Sequence, residues 1–148
     1  MHLYQKRLNK EFKRANQVEL HNIEFLKEES GLTTFKYRLR FQNHQVYQNN
    51  SYKLNITITK NYPVDSPIVT FQDSIPVHPH IYSNGHICLN LLGDDWTPAC
   101  SVESIVLSIQ SMLENNQLSE LPPDNDNYVK SGIKNPKNTS FVYHDDNV

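Results

Sequence analysis

Glycine is scarce in this chain, at 4 of 148 residues, and cysteine scarcer still, at 2. So little glycine argues against a fold built on Gly-rich phosphate-binding loops. Cys88 and Cys100 make no disulfide framework and fit a reducing compartment, cytoplasm and/or nucleus. Neither sign of charge dominates: the net charge of -2 argues against general affinity for nucleic acid or anionic membranes. No apolar run approaches the ~20 residues that a membrane span needs. The opening "MHLYQKRLNKEF" lacks the apolar block of a secretory signal. No internal repeat is visible. What is present, 37% hydrophobic and 20% charged residues, describes a single globular domain of ordinary size.

Residues 3–15 carry Tyr4, Leu8, Phe12 and Ala15 at helical spacing, with Lys6, Arg7, Lys10, Lys13 and Arg14 over most of the remaining surface. Such a basic exterior is either a solvated face or a docking face. Alternating segments follow. "LHNIEFL" (20–26) is weak. "FKYRLRF" (35–41) sets Phe35, Tyr37, Leu39 and Phe41 against Lys36, Arg38 and Arg40. "YKLNITITK" (52–60) sets Tyr52, Leu54, Ile56 and Ile58 against Lys53, Asn55, Thr57 and Thr59, and "IVTFQ" (68–72) is shorter. Period-two alternation with short connections predicts an antiparallel meander with one covered face. The cover is the segment 102–114, where Val102, Ile105, Val106, Ile109, Met112 and Leu113 keep the helical period. Ser101 is its expected N-cap, and Glu103 sits favourably in its first turn.

Residues 73–100 have little periodicity, and a connection of that length in a compact domain is usually functional. It contains "VHPHIYSNGHICLN" (77–90), which brings together His78, His80, His86 and Cys88. Those side chains are of the right type for tetrahedral zinc, although Pro79 stiffens the first pair and the spacing fits no common zinc motif. A Cys–His nucleophile is a second possibility, without any local protease signature. A buried, inert cysteine among polar loop residues is the third. After the helix, "ELPPDNDNYVKSGIKNPKNTSFVYHDDNV" is rich in Asn, Asp and Pro, and reads as mostly irregular with one short helix or strand.

The order of these pieces resembles the ubiquitin-conjugating enzymes. The family carries a Tyr-Pro-x-x-x-Pro segment, matched by Tyr62, Pro63 and Pro67. Its His-Pro-Asn is matched by His78-Pro79-His80, its Gly-x-Ile-Cys-Leu by Gly85 to Leu89, and its Trp-Ser-Pro-Ala by Trp96-Thr97-Pro98-Ala99. "IPVHPHIYSNGHICLNLL" and the ending "PPDNDNYV…KNPK…YHDD" are similar to the W-type subgroup. That subgroup has histidine in place of the asparagine and lacks the usual pair of C-terminal helices. The turn usually rich in Gly and Pro between strands two and three is reduced here to "NHQVYQNNS", where Asn49 and Asn50 are expected to take the left-handed positions. Val64 stands where relatives often have Phe.

The resemblance implies an α+β ubiquitin-conjugating fold: an N-terminal helix, a four-stranded antiparallel meander, an active-site loop and a central helix. Residues 1–120 are the expected core, and 121–148 an atypical, partly flexible C-terminal extension. It implies that Cys88 takes ubiquitin from an activating enzyme as a thioester and passes it to an amine of a protein substrate, with the W-type likeness implying the α-amino group of a flexible N-terminus. Cys88 is then expected to be accessible and Cys100 packed. An ordinary thiol near pKa ~8.5 is already partly thiolate, so no strong base is needed. His80 either braces the loop or helps at the oxyanion or proton step. Asp124 is the nearest candidate for the acidic residue that relatives keep near the incoming amine. An α-amine, at pKa ~7.7–8.0 against ~10.4 for lysine, has a free-base fraction larger by roughly two- to three-hundredfold or more, and needs less such help. His78, Pro79 and Trp96 support the active-site loop. Lys6, Arg7, Lys10, Val64, Thr97, Pro98 and Ala99 are the expected surface for the activating enzyme and a RING or U-box ligase. No cofactor or metal is expected, and no nucleic-acid or membrane partner. The alternatives are a non-catalytic ubiquitin-binding scaffold of the same fold and a zinc-binding domain using the His/Cys cluster.

Overall fold

The computed structural model describes residues 3–26 and 33–138. Helix α1 (Leu3–Gln17) buries Leu8 and lays Phe12 over Phe35 at a ring separation of 3.8 Å, while Lys6, Lys10 and Lys13 stay exposed. Strands β1 (Ile23–Leu26), β2 (Thr34–Arg40), β3 (Ser51–Thr57) and β4 (Ile68–Gln72) form one antiparallel sheet in sequence order. The register pairs Phe35 with Ile56, Tyr37 with Leu54 and Leu39 with Tyr52, then Leu54 with Phe71 and Ile56 with Val69. Apolar positions therefore coincide on one face, since a slip by one residue would turn every one of them to solvent. On the other face Arg38 and Arg40 share the carboxylate of Glu24, and Lys53 meets Asp73.

Helix α2 (Val102–Glu114) covers the apolar face with Val102, Ile105, Val106, Ile109 and Leu113, all buried. Its start is capped as expected: the Ser101 hydroxyl accepts from the Ser104 amide, and Ser104 returns a bond to the Ser101 amide. The Arg14 guanidinium of α1 pairs with Glu103 in the first turn.

The connection between β2 and β3 departs from expectation. Its left-handed residues are Asn43 (φ 51°) and Gln48 (φ 55°), not Asn49 and Asn50. The Asn49 carboxamide instead accepts from the Asn43 amide at 2.9 Å, closing the turn through a side chain. Tyr47 is buried here, donating to the Val77 carbonyl (2.8 Å) and accepting from Asn116 (2.8 Å), so the turn also anchors the start of the long connection.

That connection folds back against β4. The Phe71 amide donates to Gly85 O, and Gly85 (φ 93°) has no room for a side chain, since a Cβ would lie 2.3 Å from the Phe71 carbonyl oxygen. The extension contains one short helix, α3 (Asn125–Lys130), and a 3-10 turn (Pro136–Asn138). Residues 139–148, which include the "YHDD" of the resemblance, lie outside the described residues.

Candidate active site

Backbone and ring bonds fix the cysteine loop from inside. The Cys88 amide donates to the His80 carbonyl (2.8 Å), and the His80 Nδ1 meets the Cys88 carbonyl (3.2 Å). A carbonyl only accepts, so this contact requires the proton on Nδ1 of His80. The His80 amide donates to His78 Nδ1 (2.9 Å), which puts the proton of the neutral His78 ring on Nε2. His78 is fully buried. Its Nε2 is buried without a hydrogen-bond partner, and burial, with the nearby His80 ring, pushes its pKa down to about 4. His86 turns its Nδ1 to the Tyr128 hydroxyl (2.7 Å), and burial lowers its pKa too. The ring nitrogens thus serve the loop itself, and among the described residues no group of His, Cys, Asp or Glu converges as metal ligands.

The expectation for the two cysteines is reversed. Cys88 keeps 6% of its surface, while Cys100 is partly open, its Sγ 3.6 Å from the Thr97 hydroxyl. The burial of Cys88 does not come from the sheet core. Cys88 belongs to a small separate cluster with Tyr82 and Tyr128, whose rings stack at 3.8 Å. Asp124 joins this group: the Tyr82 hydroxyl lies 3.1 Å from each of its carboxylate oxygens. Burial and that carboxylate both raise the Tyr82 pKa, so the hydroxyl stays a donor.

Away from the tyrosine cluster, Val64 is 71% exposed, and Thr97, Pro98 and Ala99 are exposed, as are Lys6 and Lys10. The two loops are tied by Trp96, whose indole N–H donates to the Pro63 carbonyl at 3.0 Å. Arg7 points inward instead of joining the exposed lysines. Its guanidinium donates to the carbonyls of Pro98 (2.7 Å) and Cys100 (2.5 Å) and lies 5.5 Å from the Tyr62 ring. Glu11 completes the bracing: its carboxylate accepts from the Val102 amide (2.8 Å) and from the Tyr62 hydroxyl. Sequence reasoning missed Glu11, Tyr82 and Tyr128. The four-residue spacing of Arg7 and Glu11 is the one signal that pointed to the first; Tyr128 reaches the loop only through contacts with residues far away in sequence, such as its bond to His86 across 42 positions.

The family model described as "Ubiquitin-conjugating enzyme" matches residues 7–141. The chain belongs to that family, and it is a ubiquitin-conjugating enzyme with the fold of that family. Within the family its similarity falls on the W-type. It is 52% identical over 102 residues to "Probable ubiquitin-conjugating enzyme E2 W-A" of Danio rerio, covering 68% of each chain. It is 49% identical over 104 residues to "Ubiquitin-conjugating enzyme E2 W" of Caenorhabditis elegans, covering 70% of this chain and 68% of that one. Among solved structures, ubiquitin conjugating enzyme E2 UbcA1 from Agrocybe aegerita superposes with a TM-score of 0.84 at 34% identity, over 92% of this chain and 99% of that one. No helix of the described residues is long and apolar enough to cross a membrane.

Proposed function

We propose that Cys88 is the residue that carries ubiquitin, and that the acceptor is the α-amine of a flexible protein N-terminus. In the loading step the Cys88 thiolate attacks the thioester carbonyl of ubiquitin on the activating enzyme, and that enzyme's thiolate leaves. In the transfer step a neutral amine attacks the new thioester, the tetrahedral species loses its ammonium proton, and the Cys88 thiolate departs as the amide forms. The observation that carries this reading is the position of Cys88 in a loop locked to His80 through a reciprocal pair of contacts, inside the region that the family model matches.

His80 braces that loop: its Nδ1 proton is committed to the Cys88 carbonyl. Asp124, held by Tyr82 of the cysteine's cluster, is the carboxylate available to the ammonium group that develops in the tetrahedral species. Lys6 and Lys10 with Val64, Thr97, Pro98 and Ala99 form the face for the activating enzyme and for a RING or U-box ligase, while Arg7 holds the loops of that face in place. Loading with ubiquitin, activating enzyme and ATP tests the first step: a thiol-reducible adduct is expected, absent in Cys88→Ala, and an adduct that survives that substitution rules Cys88 out. Single-turnover discharge tests the second. The loaded enzyme should react with a flexible peptide N-terminus and resist free lysine; fast discharge to lysine removes the α-amine assignment and leaves ubiquitin conjugation intact. His80→Asn should leave that discharge rate within about twofold if His80 only braces.

A further inference from the structure

The cover over Cys88 and the loop that carries Val64 are joined by one stretch of chain. Its near end grips the cysteine loop at several points. Tyr82 donates to Asp124, and the Ser83 amide donates to the Asn125 carboxamide at 2.9 Å. Asn125 returns a bond to the Ser83 hydroxyl at 3.1 Å, and the Tyr128 hydroxyl meets His86 at 2.7 Å. Its far end reaches the other face. Pro136 is buried, and the Lys137 ammonium donates to the carbonyl (2.7 Å) and hydroxyl (2.8 Å) of Ser66. Ser66 is itself buried and donates to the Leu92 carbonyl (2.7 Å), so this anchor is rigid on the loop side. Desolvation lowers the Lys137 pKa, and nearby Asp65 partly offsets it by favouring the charge. A cleft of about 300 Å³ lies at the far end, bordered by Val64, Asp65, Ile87, Leu89, Trp96 and Lys137. Its walls include both chain neighbours of Cys88.

We propose that residues 124–138 form a strap that shuts the Cys88 thiol in the resting enzyme, and that loosening its Lys137 end, beside the ligase loop, opens the thiol at the other. The strap alone rests on the burial of Cys88; only the link to the ligase rests on the proposed function. A short helix held by a few polar contacts and one aromatic stack opens at much lower cost than the sheet. Any partner that binds the Val64 loop better with Lys137 released shifts the population towards the open thiol by that difference in affinity.

The test is the rate at which iodoacetamide alkylates Cys88 in the full chain carrying Cys100→Ser, followed by intact mass. This needs neither ubiquitin nor an activating enzyme, so failure of the thioester reading and failure of the strap are separate results. Tyr128→Ala should raise the alkylation rate about fivefold, and Lys137→Ala, at the far end of the strap, about threefold, with the urea midpoint of each little changed. Unchanged rates in both overturn the strap, and an effect of Tyr128→Ala without any effect of Lys137→Ala overturns the coupling. In the chain without those substitutions, amide hydrogen exchange supplies a second readout: α3 should exchange well before α2. Equal protection of the two helices would also overturn the proposal.

Discussion

Two hydrophobic clusters form among the described residues, and they are stabilised differently. The larger joins the sheet to α2 and includes Phe35, Leu54, Ile56, Ile105 and Ile109, each with no exposed surface. The smaller contains Tyr82, Cys88 and Tyr128, at 5%, 6% and 7% exposure, and unites the cysteine loop with α3. The first is made of strand register and helix period, so every contact supports the others. The second depends on a single stack and on hydrogen bonds between segments that share no secondary structure. The two clusters therefore predict separate responses to mutation, one in the stability of the fold and the other in access to Cys88.

The largest effect should come from the first cluster. Ile109→Ala removes a fully buried side chain facing the sheet and should cost about 2–5 kcal/mol of unfolding free energy in urea. Acid should act through His78. Its folded-state pKa of about 4 lies below the ordinary 6.5, so the neutral buried ring stabilises fully above pH 6.5, and that contribution is lost as pH falls towards 4. The loss across this window is about 3 kcal/mol, read as the difference between urea curves near neutral pH and near its lower end. Glu11→Ala leaves the Val102 amide and the Tyr62 hydroxyl without their acceptor and should cost about 1–3 kcal/mol. Tyr128→Ala should cost least, below about 1 kcal/mol, because a segment that opens locally contributes no more to global stability than its own opening free energy. A loss for Tyr128→Ala as large as that for Ile109→Ala would merge the two clusters into one cooperative core and end the comparison.

Much of the larger cluster was legible in the sequence. Phe35, Tyr37 and Leu39 alternate with charged residues, and Val102, Ile105, Val106 and Ile109 keep a helical period, because burial on one face imposes that pattern locally. The loop from His78 to Cys88 was legible through the spacing of its residue types and its likeness to a known family. The smaller cluster was not. Nothing near Cys88 signals that Tyr128 will lie against it, because the contact spans the tail and is not periodic. Arg7 misled for a related reason: a basic residue among exposed lysines looks the same in sequence whether it faces water or two backbone carbonyls. Positive φ fell to Asn43 and Gln48 over Asn49 and Asn50, since a side-chain bond from Asn49 decides the turn and residue preference alone does not.

The unequal exposure of the two sulfurs has a consequence for the life of the idle protein under oxidative stress. Peroxide reaches exposed cysteine sulfurs first, and here that means Cys100, at the start of α2 beside Thr97. Damage from a pulse of oxidant should accumulate there before it reaches Cys88, so the sulfur inside the tyrosine cluster outlasts the one at the surface.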